Sequence, residues 1–284
     1  MTVAVTGATG GVGGRTVRCL VGRGDDARVV ALARRPEAVA THPRVEARRA
    51  DYDDPASLRT ALAGVDTLVF VSSDGAAGAM RRHHEHVVAA AVDAGVEHVV
   101  YTSILDVSPE SPFYYAPVHR ETEALLADSG LAHCLARTSI FADFLVSTWA
   151  TAVLPTGTGR MSIVTRDDVA RSLAALALSR ETGTVELTGS TALTATEIAE
   201  ITTSITGRAT TDVIVPSAPG WLTEAFTTMF ASVRANHFAH ICPDITRLTG
   251  EPPQSYAAFL RSAVNARRGR RAASGPAGAG PPDR

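Results

Sequence analysis

The chain has 284 residues and a formal net charge of -2, with 45% hydrophobic and 20% charged residues. This composition is typical of a globular protein with an ample core, and without a long basic surface it favours neither nucleic acid nor an anionic membrane as a partner. No apolar run reaches the roughly 18 residues of a membrane span and no basic leader precedes the first strand, so we expect a cytoplasmic protein that binds a small molecule.

Strand and helix patterns alternate through the first half of the chain. Apolar, β-branched runs predict strands at TVAVTG, RVVALAR, DTLVFVS, EHVVYTS and LAHCLART. Helical spacing of apolar residues predicts helices at GGVGGRTVRCLVGRG, DPASLRTALAG, MRRHHEHVVAAAVDAG and PVHRETEALLADSG. Because the strands are almost wholly apolar, both faces of the sheet should be covered. The pattern predicts an α/β fold, a doubly wound parallel sheet of the Rossmann type.

The second half is less regular. TRDDVARSLAALALS predicts a helix, TVELTG a strand, and LTATEIAEITTSITG a helix that begins with a capping box of Thr194 and Glu197 and ends at Gly207. WLTEAFTTMFASVRANHFAHI predicts an aromatic helix of a smaller cap. We therefore expect a nucleotide-binding domain over 1–140, sheet elements returning at about 160–190, a C-terminal α/β substrate cap over 141–264 and a disordered tail over 265–284.

Glycines stand between the first strand and the first helix. Gly7, Gly10 and Gly13 occur in TVAVTGATGGVGG. Glycine permits the turn and lets backbone amides approach a pyrophosphate, while the helix N-terminus supplies partial positive charge. The strand-to-helix context favours dinucleotide binding over a glycine-rich turn that only packs a helix.

The end of the second strand distinguishes NAD from NADP. ALARRP ends in Arg34 and Arg35, where an acidic residue would bind the ribose hydroxyl of NAD. A guanidinium pairs with a 2'-phosphate, so NADP(H) is the expected cofactor, although exposed arginine is common. Asp51 should lie near the adenine, and a helix-capping role for Asp54 or its neighbours explains the DYDDP cluster equally well.

Seven blocks within residues 3 to 170 carry a resemblance to a known family: VAVTGATGGVG, ALARRP, ADYDDPASLRTAL, GVDTLVFVSS, VVAAAVDAGVEHVVYTSIL, HRETEALLADSG and TRDDVA. In their order and spacing they resemble the NmrA-like atypical short-chain dehydrogenases, and most of all the type 2 NAD(P)H:quinone oxidoreductases. The resemblance implies a Rossmann domain, a small substrate domain and a cleft between them. It also implies that Arg34 binds the 2'-phosphate, that His119 contacts the nicotinamide ribose, that Ser72 and Ser73 lie on the ribose side, and that the pyrophosphate is surrounded by Gly7, Thr9, Gly10, Gly11, Val12 and Gly13. The block between Phe141 and Arg160 is shorter than in the quinone reductases.

Tyr115, His119 and Ser103 are the main candidates for catalysis. Tyr115 and His119 keep the Tyr-x-x-x-cation spacing of a phenol and its helper, although Pro117 disfavours helical geometry at Ala116 and so separates them. The chain contains no lysine, so the helper would be an imidazole. Ser103 matches the strand-end serine of classical short-chain dehydrogenases, with ordinary strand-end hydrogen bonding as the alternative. Tyr114 is a weaker candidate for the proton donor.

Three other groups of residues carry less specific signals. The HHEH run at 83–86 lacks a third ligand for a metal, and His84 is the member expected to face the cleft. Cys19, Cys134 and Cys242 are expected to be buried free thiols. Aromatic density in the second half suggests either a pocket for a planar substrate or packing of the cap or of a dimer face; its members are Trp149, Trp221, Phe226, Met229, Phe230, His237 and Phe238.

These observations favour an NADPH-dependent reductase of a quinone, enone or related aromatic carbonyl. The use of arginine in place of lysine throughout the chain suggests a high-GC bacterial source. By analogy, it suggests a tailoring enzyme of aromatic natural products. Two alternatives stay open at this point: a regulator that senses NADP(H) without turnover, and a redox-neutral or coupling enzyme acting on an aromatic polyketide. A homodimer is compatible with each.

Overall fold

Seven parallel strands form the central sheet in the computed structural model of the protein, which describes residues 1–24, 26–148, 152–208, 211–212 and 220–273. Their order is β3-β2-β1-β4-β5-β6-β9, so the chain reverses direction across the sheet between β1 and β4. The strands are β1 Thr2–Val5, β2 Arg28–Ala33, β3 Val45–Arg49, β4 Thr67–Phe70, β5 His98–Ile104, β6 Ala132–Thr138 and β9 Gly183–Leu187. Two two-stranded ribbons are formed by β7 Ala152–Val153 with β11 Thr211–Asp212 and by β8 Arg160–Met161 with β10 Leu193–Thr194.

Helices connect the strands and cover both faces of the sheet, as the predicted doubly wound fold requires. They are α1 Gly13–Gly22, α2 Pro55–Leu62, α3 Ala77–Asp93, α4 Ala116–Asp128, α5 Ala142–Thr148, α6 Arg166–Ser179, α7 Ala195–Thr206, α8 Gly220–Arg234, α9 Asp244–Thr249 and α10 Tyr256–Ala273. No helix in these described ranges is long and apolar enough to cross a membrane.

Apolar side chains form one cluster on each face of the sheet. Leu20 of α1 and Leu173 of α6 pack on one face, and Leu58 of α2 and Val87 of α3 pack on the other. All four residues of β4 are buried, as expected for a strand that is covered on both sides. Burial of this apolar surface, at about 25 cal/mol per Å², is the main stabilising term of the fold.

A third apolar cluster lies outside the sheet and joins α5, α7, α8 and α10. Phe226 and Phe230 of α8 meet Ile198 of α7 and Leu260 of α10 in this cluster. The predicted capping box is present, because the Thr194 hydroxyl accepts from the Glu197 amide and the Glu197 carboxylate accepts from the Thr194 amide. The division of the chain into two domains stays a prediction.

The structure corrects the expected start of the disordered tail. Helix α10 runs to Ala273, so the segment from Asn265 to Ala273 is helical, and only 274–284 lies outside the described residues. The Arg and Ala residues of this segment have high helix propensity, which continues the helix beyond its last buried residues. Low hydrophobicity alone was therefore an unreliable signal of disorder here.

Candidate active site

A cleft of about 560 Å³ opens where the chain order of the sheet reverses, at the carboxyl ends of β1 and β4. Doubly wound sheets bind dinucleotides in this position. The cleft contains ten of the eleven residues predicted for the cofactor, and also Ser103. His119, the eleventh, and Tyr115 do not line it. It is lined by Thr6, Gly7, Thr9, Gly10, Gly11, Val12, Gly13, Leu32, Ala33, Arg34, Ala50, Asp51, Tyr52, Asp53, Val71, Ser72, Ser73, Asp74, His83, Thr102, Ser103, Ile104, Thr138, Phe141 and Arg166.

The glycine loop forms the floor of the cleft for steric reasons. Gly7 has a φ of +59°, in the left-handed region that favours glycine. A Cβ on Gly13 would lie 2.4 Å from the Gly7 carbonyl oxygen, so no larger residue fits there. Helix α1 begins at Gly13, and Val12 supplies no side-chain cap. The first amides of α1 are therefore suited to a phosphate group, because no side chain satisfies them.

Arg34 follows β2 and lines the cleft with an exposed side chain. Within the described parts of the chain no carboxylate forms an ion pair with Arg34. Asp51 lines the same end of the cleft, whereas Asp54 caps α2 by accepting from the Ser57 amide at 3.1 Å. The capping role therefore falls on Asp54, and the position of Asp51 near the adenine stays a prediction.

Arg166 is a cleft residue that the sequence analysis did not identify. Its side chain lies against the glycine loop, since a Cβ on Gly11 would be 2.9 Å from the Arg166 Cδ. The guanidinium stands 5.4 Å from the centroid of the Phe141 ring and 3.7 Å from the Asp143 carboxylate. Arg166 belongs to the TRDDVA block, at the start of helix α6. In the sequence, this block indicated only the start of a helix. No pattern in the sequence shows that α6 approaches α1.

His83, and not His84, is the histidine of the HHEH run that lines the cleft. Its Nδ1 contacts the Ser73 hydroxyl and its Nε2 contacts the Asp53 carboxylate, each at 3.1 Å. The expectation that His84 faces the cleft is wrong, because His84 turns into the core between α3 and α4 and is 1% exposed. His83 therefore links the segment after β4 to the segment after β3 on the side of Asp51.

The hydrogen bonds of His84 require a neutral ring. Thr122 donates its hydroxyl proton to the Val118 carbonyl, so His84 Nδ1 must donate to Thr122 Oγ1, at 2.8 Å. Nε2 of His84 then accepts from the Ser73 amide at 3.3 Å. Burial, together with the neighbouring charge of His83, lowers the pKa of His84 to about 3. A buried neutral imidazole therefore holds the backbone of Ser73, which lines the cleft.

His119 is buried beside Tyr101 and is 4% exposed. The Tyr101 hydroxyl and His119 Nδ1 share a hydrogen bond of 2.8 Å. Burial and the neighbouring His84 lower the pKa of His119 to about 3, so the ring is neutral, and burial raises the pKa of Tyr101, which keeps its proton. Tyr101 therefore donates to Nδ1, and the proton of His119 resides on Nε2. Sequence analysis did not predict the partnership with Tyr101.

Tyr115 precedes α4, as expected, and its hydroxyl donates to the Gly75 carbonyl at 3.0 Å. Ala116 is nevertheless helical, so the expectation that Pro117 keeps Ala116 out of the helix is wrong. Burial raises the pKa of Tyr115 to about 12, with smaller effects from Tyr114 and Asp74. The Tyr114 hydroxyl accepts from the Ala77 amide at 3.1 Å. Both phenols thus tie the start of α4 to the segment that enters α3, and neither contacts His119.

Ser103 lines the cleft at the end of β5, but its hydroxyl is already engaged. It donates to the Glu123 carboxylate at 2.6 Å. Arg137 holds the same carboxylate in a bidentate pair at 3.0 and 2.6 Å. Ser103 therefore makes a strand-end hydrogen bond, as in the alternative to a catalytic role. The catalytic role of Ser103 stays a prediction.

The aromatic residues of the second half pack in the third apolar cluster. Phe226, Phe230 and Phe238 are at most 8% exposed and do not line the cleft. His237 instead contacts the buried carboxylate of Asp106 at 2.9 Å, and Trp149 lies outside the described residues. Core packing therefore accounts for the phenylalanines of this group.

Of the cysteines, Cys134 is buried, whereas Cys19 and Cys242 are only partly buried, which corrects the expectation for those two.

Comparisons with known proteins agree with this cleft. A family model described as NAD(P)H-binding matches residues 7–180. Quinone oxidoreductase 2 of Escherichia coli is 34% identical over 220 residues, which cover 74% of this chain and 76% of that protein. The (4-alkanoyl-5-oxo-2,5-dihydrofuran-3-yl)methyl phosphate reductase of Streptomyces griseus is 31% identical over 278 residues, 89% of this chain and 95% of that protein.

An NmrA-like oxidoreductase of Aspergillus flavus is 29% identical over 222 residues, 73% of this chain and 72% of that protein. The solved structure of the Escherichia coli quinone oxidoreductase with NADPH matches with a TM-score of 0.83 and 28% identity, covering 93% of this chain and 100% of that chain. The chain therefore belongs to the NAD(P)H-binding family, among the NmrA-like atypical short-chain dehydrogenases, and is an NADP-dependent oxidoreductase.

Proposed function

We propose that this oxidoreductase reduces a conjugated carbonyl compound, a quinone or an enone, with NADPH. The coarse activity follows from the family, and the acceptor is the part that is proposed. The observation that carries the proposal is the state of Tyr115, whose phenol donates to a carbonyl and has no cationic partner among the described residues.

The cofactor supplies a hydride when it is bound. The glycine loop from Gly7 to Gly13 fits its pyrophosphate, because the loop brings backbone close to the cleft and leaves the amides of α1 without a side-chain cap. Arg34 would bind the 2'-phosphate, and Arg166 offers a second cation next to Gly11. Ser72, Ser73 and Asp51 would bind ribose and adenine groups.

Reduction of an ordinary ketone requires a proton on oxygen as the hydride arrives, and short-chain dehydrogenases deliver it from a phenol that a cation activates. Here the chain has no lysine, His119 is neutral and bound to Tyr101, and Tyr115 has a pKa of about 12. A phenol in this state is a weak acid and its proton is already donated to Gly75. The site therefore suits an acceptor that needs little acid catalysis.

Quinones and enones meet this requirement. The negative charge left after hydride transfer is delocalised over a phenolate or an enolate, which water can protonate. The balanced reaction consumes one NADPH and one proton and yields NADP⁺ and a hydroquinone or a saturated carbonyl compound. The protein then contributes position, through the cleft, and exclusion of water rather than a strong acid.

His119 supports the same proposal from the binding side. With Nδ1 accepting from Tyr101, Nε2 carries the proton, and no hydrogen bond from this atom is found among the described residues. An imidazole N–H that is not used within the protein is available to donate to a ligand. The nicotinamide ribose is the acceptor that we propose for it.

The relatives favour this class of acceptor. One is named as a quinone oxidoreductase, and another is named for a substrate that is an acylated 2,5-dihydrofuran with an oxo group, a conjugated lactone. Both acceptors share an electron-poor double bond next to a carbonyl. The chain uses arginine and no lysine, which is typical of proteins from high-GC bacteria. We therefore include in the proposal a role in tailoring an aromatic natural product in such a bacterium.

The test is an acceptor panel with purified protein and NADPH under anaerobic conditions. The panel contains a benzoquinone, an unsaturated lactone and a saturated ketone, and cofactor oxidation is followed by absorbance. We expect the two conjugated acceptors to be reduced and the saturated compound to be inert. Binding of NADPH is measured separately by fluorescence, so that failure to bind is distinguished from failure to react.

Two results would overturn the proposal. If NADPH binds and no conjugated acceptor is consumed above the background rate, the acceptor class is wrong. If a saturated ketone is reduced as fast as the quinone, a proton donor operates in the site and the argument from Tyr115 fails.

A further inference from the structure

Three metal-binding side chains converge at the far edge of the sheet, away from the cleft. They are Glu186 on β9, and His240 and Cys242 on the segment that leads into α9; one ligand atom from each lies within 4.8 Å of the other two. None of them lines the cleft. From this geometry we infer a site for a divalent ion of the zinc class that joins the edge strand β9 to the segment 240–244.

The spacing of the ligands follows from local structure. His240 and Cys242 are two residues apart in the irregular segment between α8 and α9, which brings both ligand atoms close to Glu186. β9 is the outermost strand of the sheet, so its free edge is open to this segment. The Glu186 carboxylate and His240 Nε2 are already 3.0 Å apart.

The distances are compatible with one ion. Zinc binds imidazole nitrogen at about 2.0 Å and sulfur at about 2.3 Å, so ligand atoms around a tetrahedral ion lie about 3.5 Å apart. A separation of at most 4.8 Å closes to that value by small side-chain rotations. The donor set of imidazole, thiolate and carboxylate suits zinc rather than calcium or magnesium, which prefer oxygen only.

The backbone around the ligands is held in place by bonds that do not use the ligand atoms. The Cys242 amide donates to the Thr188 hydroxyl and the Glu186 amide donates to the Asp244 carboxylate, each at 2.9 Å. The second oxygen of Asp244 accepts from Arg247 at 3.0 Å. A binding site gains affinity when its ligands are positioned beforehand in this way.

Asp244 stands next to the site. Its Oδ2 lies 3.2 Å from the Cys242 sulfur and accepts from the thiol, which gives up this proton when it binds the ion as a thiolate. The negative charges of Glu186 and a Cys242 thiolate match the charge of a divalent ion, and the fourth position is left to water.

Cobalt titration of tag-free protein tests the site, because a thiolate ligand gives cobalt a near-ultraviolet charge-transfer band that nitrogen and oxygen ligands do not give. We expect one equivalent of Co²⁺ to develop this band and one equivalent of Zn²⁺ to abolish it. The Cys242→Ser variant should lose the band and bind zinc at least about tenfold more weakly, and His240→Gln should also weaken zinc binding about tenfold.

Matched controls are Cys19→Ser, which removes another partly buried thiol, and His42→Gln, which removes an exposed histidine before β3 at the opposite edge of the sheet. Both controls should bind like the unaltered protein. Zn²⁺ should also raise the Tm of the unaltered protein and not that of Cys242→Ser, since an ion that binds only the folded state stabilises it.

The proposal is overturned if the unaltered protein develops no charge-transfer band, or if the band persists in Cys242→Ser. Thermal unfolding without metal checks that each variant is folded. Loss of the band in Cys19→Ser instead would place the metal on another thiol and would equally contradict the site at β9.

Discussion

Arg34 and Arg166 approach the cleft from two sides and are expected to bind different parts of NADPH. Arg34 follows β2 and forms no ion pair in the described chain, and Arg166 lies against Gly11 of the glycine loop. Their variants should therefore separate recognition of the 2'-phosphate from recognition of the diphosphate.

Arg34→Ala should weaken NADPH binding about 10-fold to 100-fold and change NADH binding by less than about twofold. The reason is that a hydrogen-bonded charge pair contributes about 1.5–3 kcal/mol and only NADPH has the 2'-phosphate. Fluorescence titration with both cofactors measures this, with Arg35→Ala as the control because Arg35 is exposed and does not line the cleft. Equal losses for the two cofactors would contradict the assignment.

Arg166→Ala should weaken NADPH and NADH by a similar factor of about ten, because the two cofactors share the diphosphate. Adenosine 2'-monophosphate, which has no diphosphate, should bind the variant as it binds the unaltered protein. The same titrations measure these affinities. A variant with unchanged affinity for both cofactors would show that Arg166 only packs against Phe141.

Tyr115→Phe should retain turnover with a quinone to within about threefold. The hydroxyl that is removed donates to Gly75 and has a pKa of about 12, so it supplies little acid catalysis near neutral pH. The measurement is kcat with saturating NADPH across pH 6 to 9. A loss of about a hundredfold or more, with cofactor affinity unchanged, would show that Tyr115 is the proton donor after all.

At the scale of elements, α3 and α4 are joined through two buried neutral histidines, His84 and His119, with Tyr101 of β5 between them. The folded-state pKa of each ring is about 3, below the ordinary value of 6.5. Between these values the unfolded chain binds protons that the folded chain does not, so the free energy of unfolding should fall as the pH falls.

Each such histidine should contribute a slope of about 1.4 kcal/mol per pH unit between about pH 6 and pH 4. His119→Asn removes one titrating ring while its amide oxygen can still accept from Tyr101, so this variant should show a shallower dependence. Urea unfolding at several pH values measures the slope, with the exposed His42→Gln as the control. A variant that keeps the original slope would contradict the buried, neutral state of His119.

Element type was predictable where periodicity was strong. Strands β1, β2, β4, β5 and β6 are mostly apolar runs bounded by turns, and the Thr194–Glu197 capping box marks the start of α7. Helix α10 was missed because its Arg and Ala residues lack an apolar stripe over the last turns, and local composition cannot distinguish a polar helix from a disordered segment.

At the scale of the whole molecule, the cofactor side of the cleft was predictable and the catalytic side was not. Glycine loops and strand ends are local in sequence, so Gly7, Gly13, Arg34 and Ser72 could be placed from the strand order alone. Arg166 approaches Gly11 across more than 150 residues of chain, and the contact of His119 with Tyr101 depends on how α4 packs on β5. Such contacts depend on tertiary packing. A homodimer stays a prediction at this scale.

Transfer of deuterium tests the central claim, that NADPH reduces a conjugated carbonyl compound in this cleft. NADPH carrying deuterium at the transferable position of the nicotinamide is incubated anaerobically with the protein and an unsaturated lactone, and the product is analysed by NMR. We predict one deuterium at the carbon β to the carbonyl group, because conjugate addition of hydride places it there. A product without deuterium, or no product while NADPH binding is intact, would contradict the account.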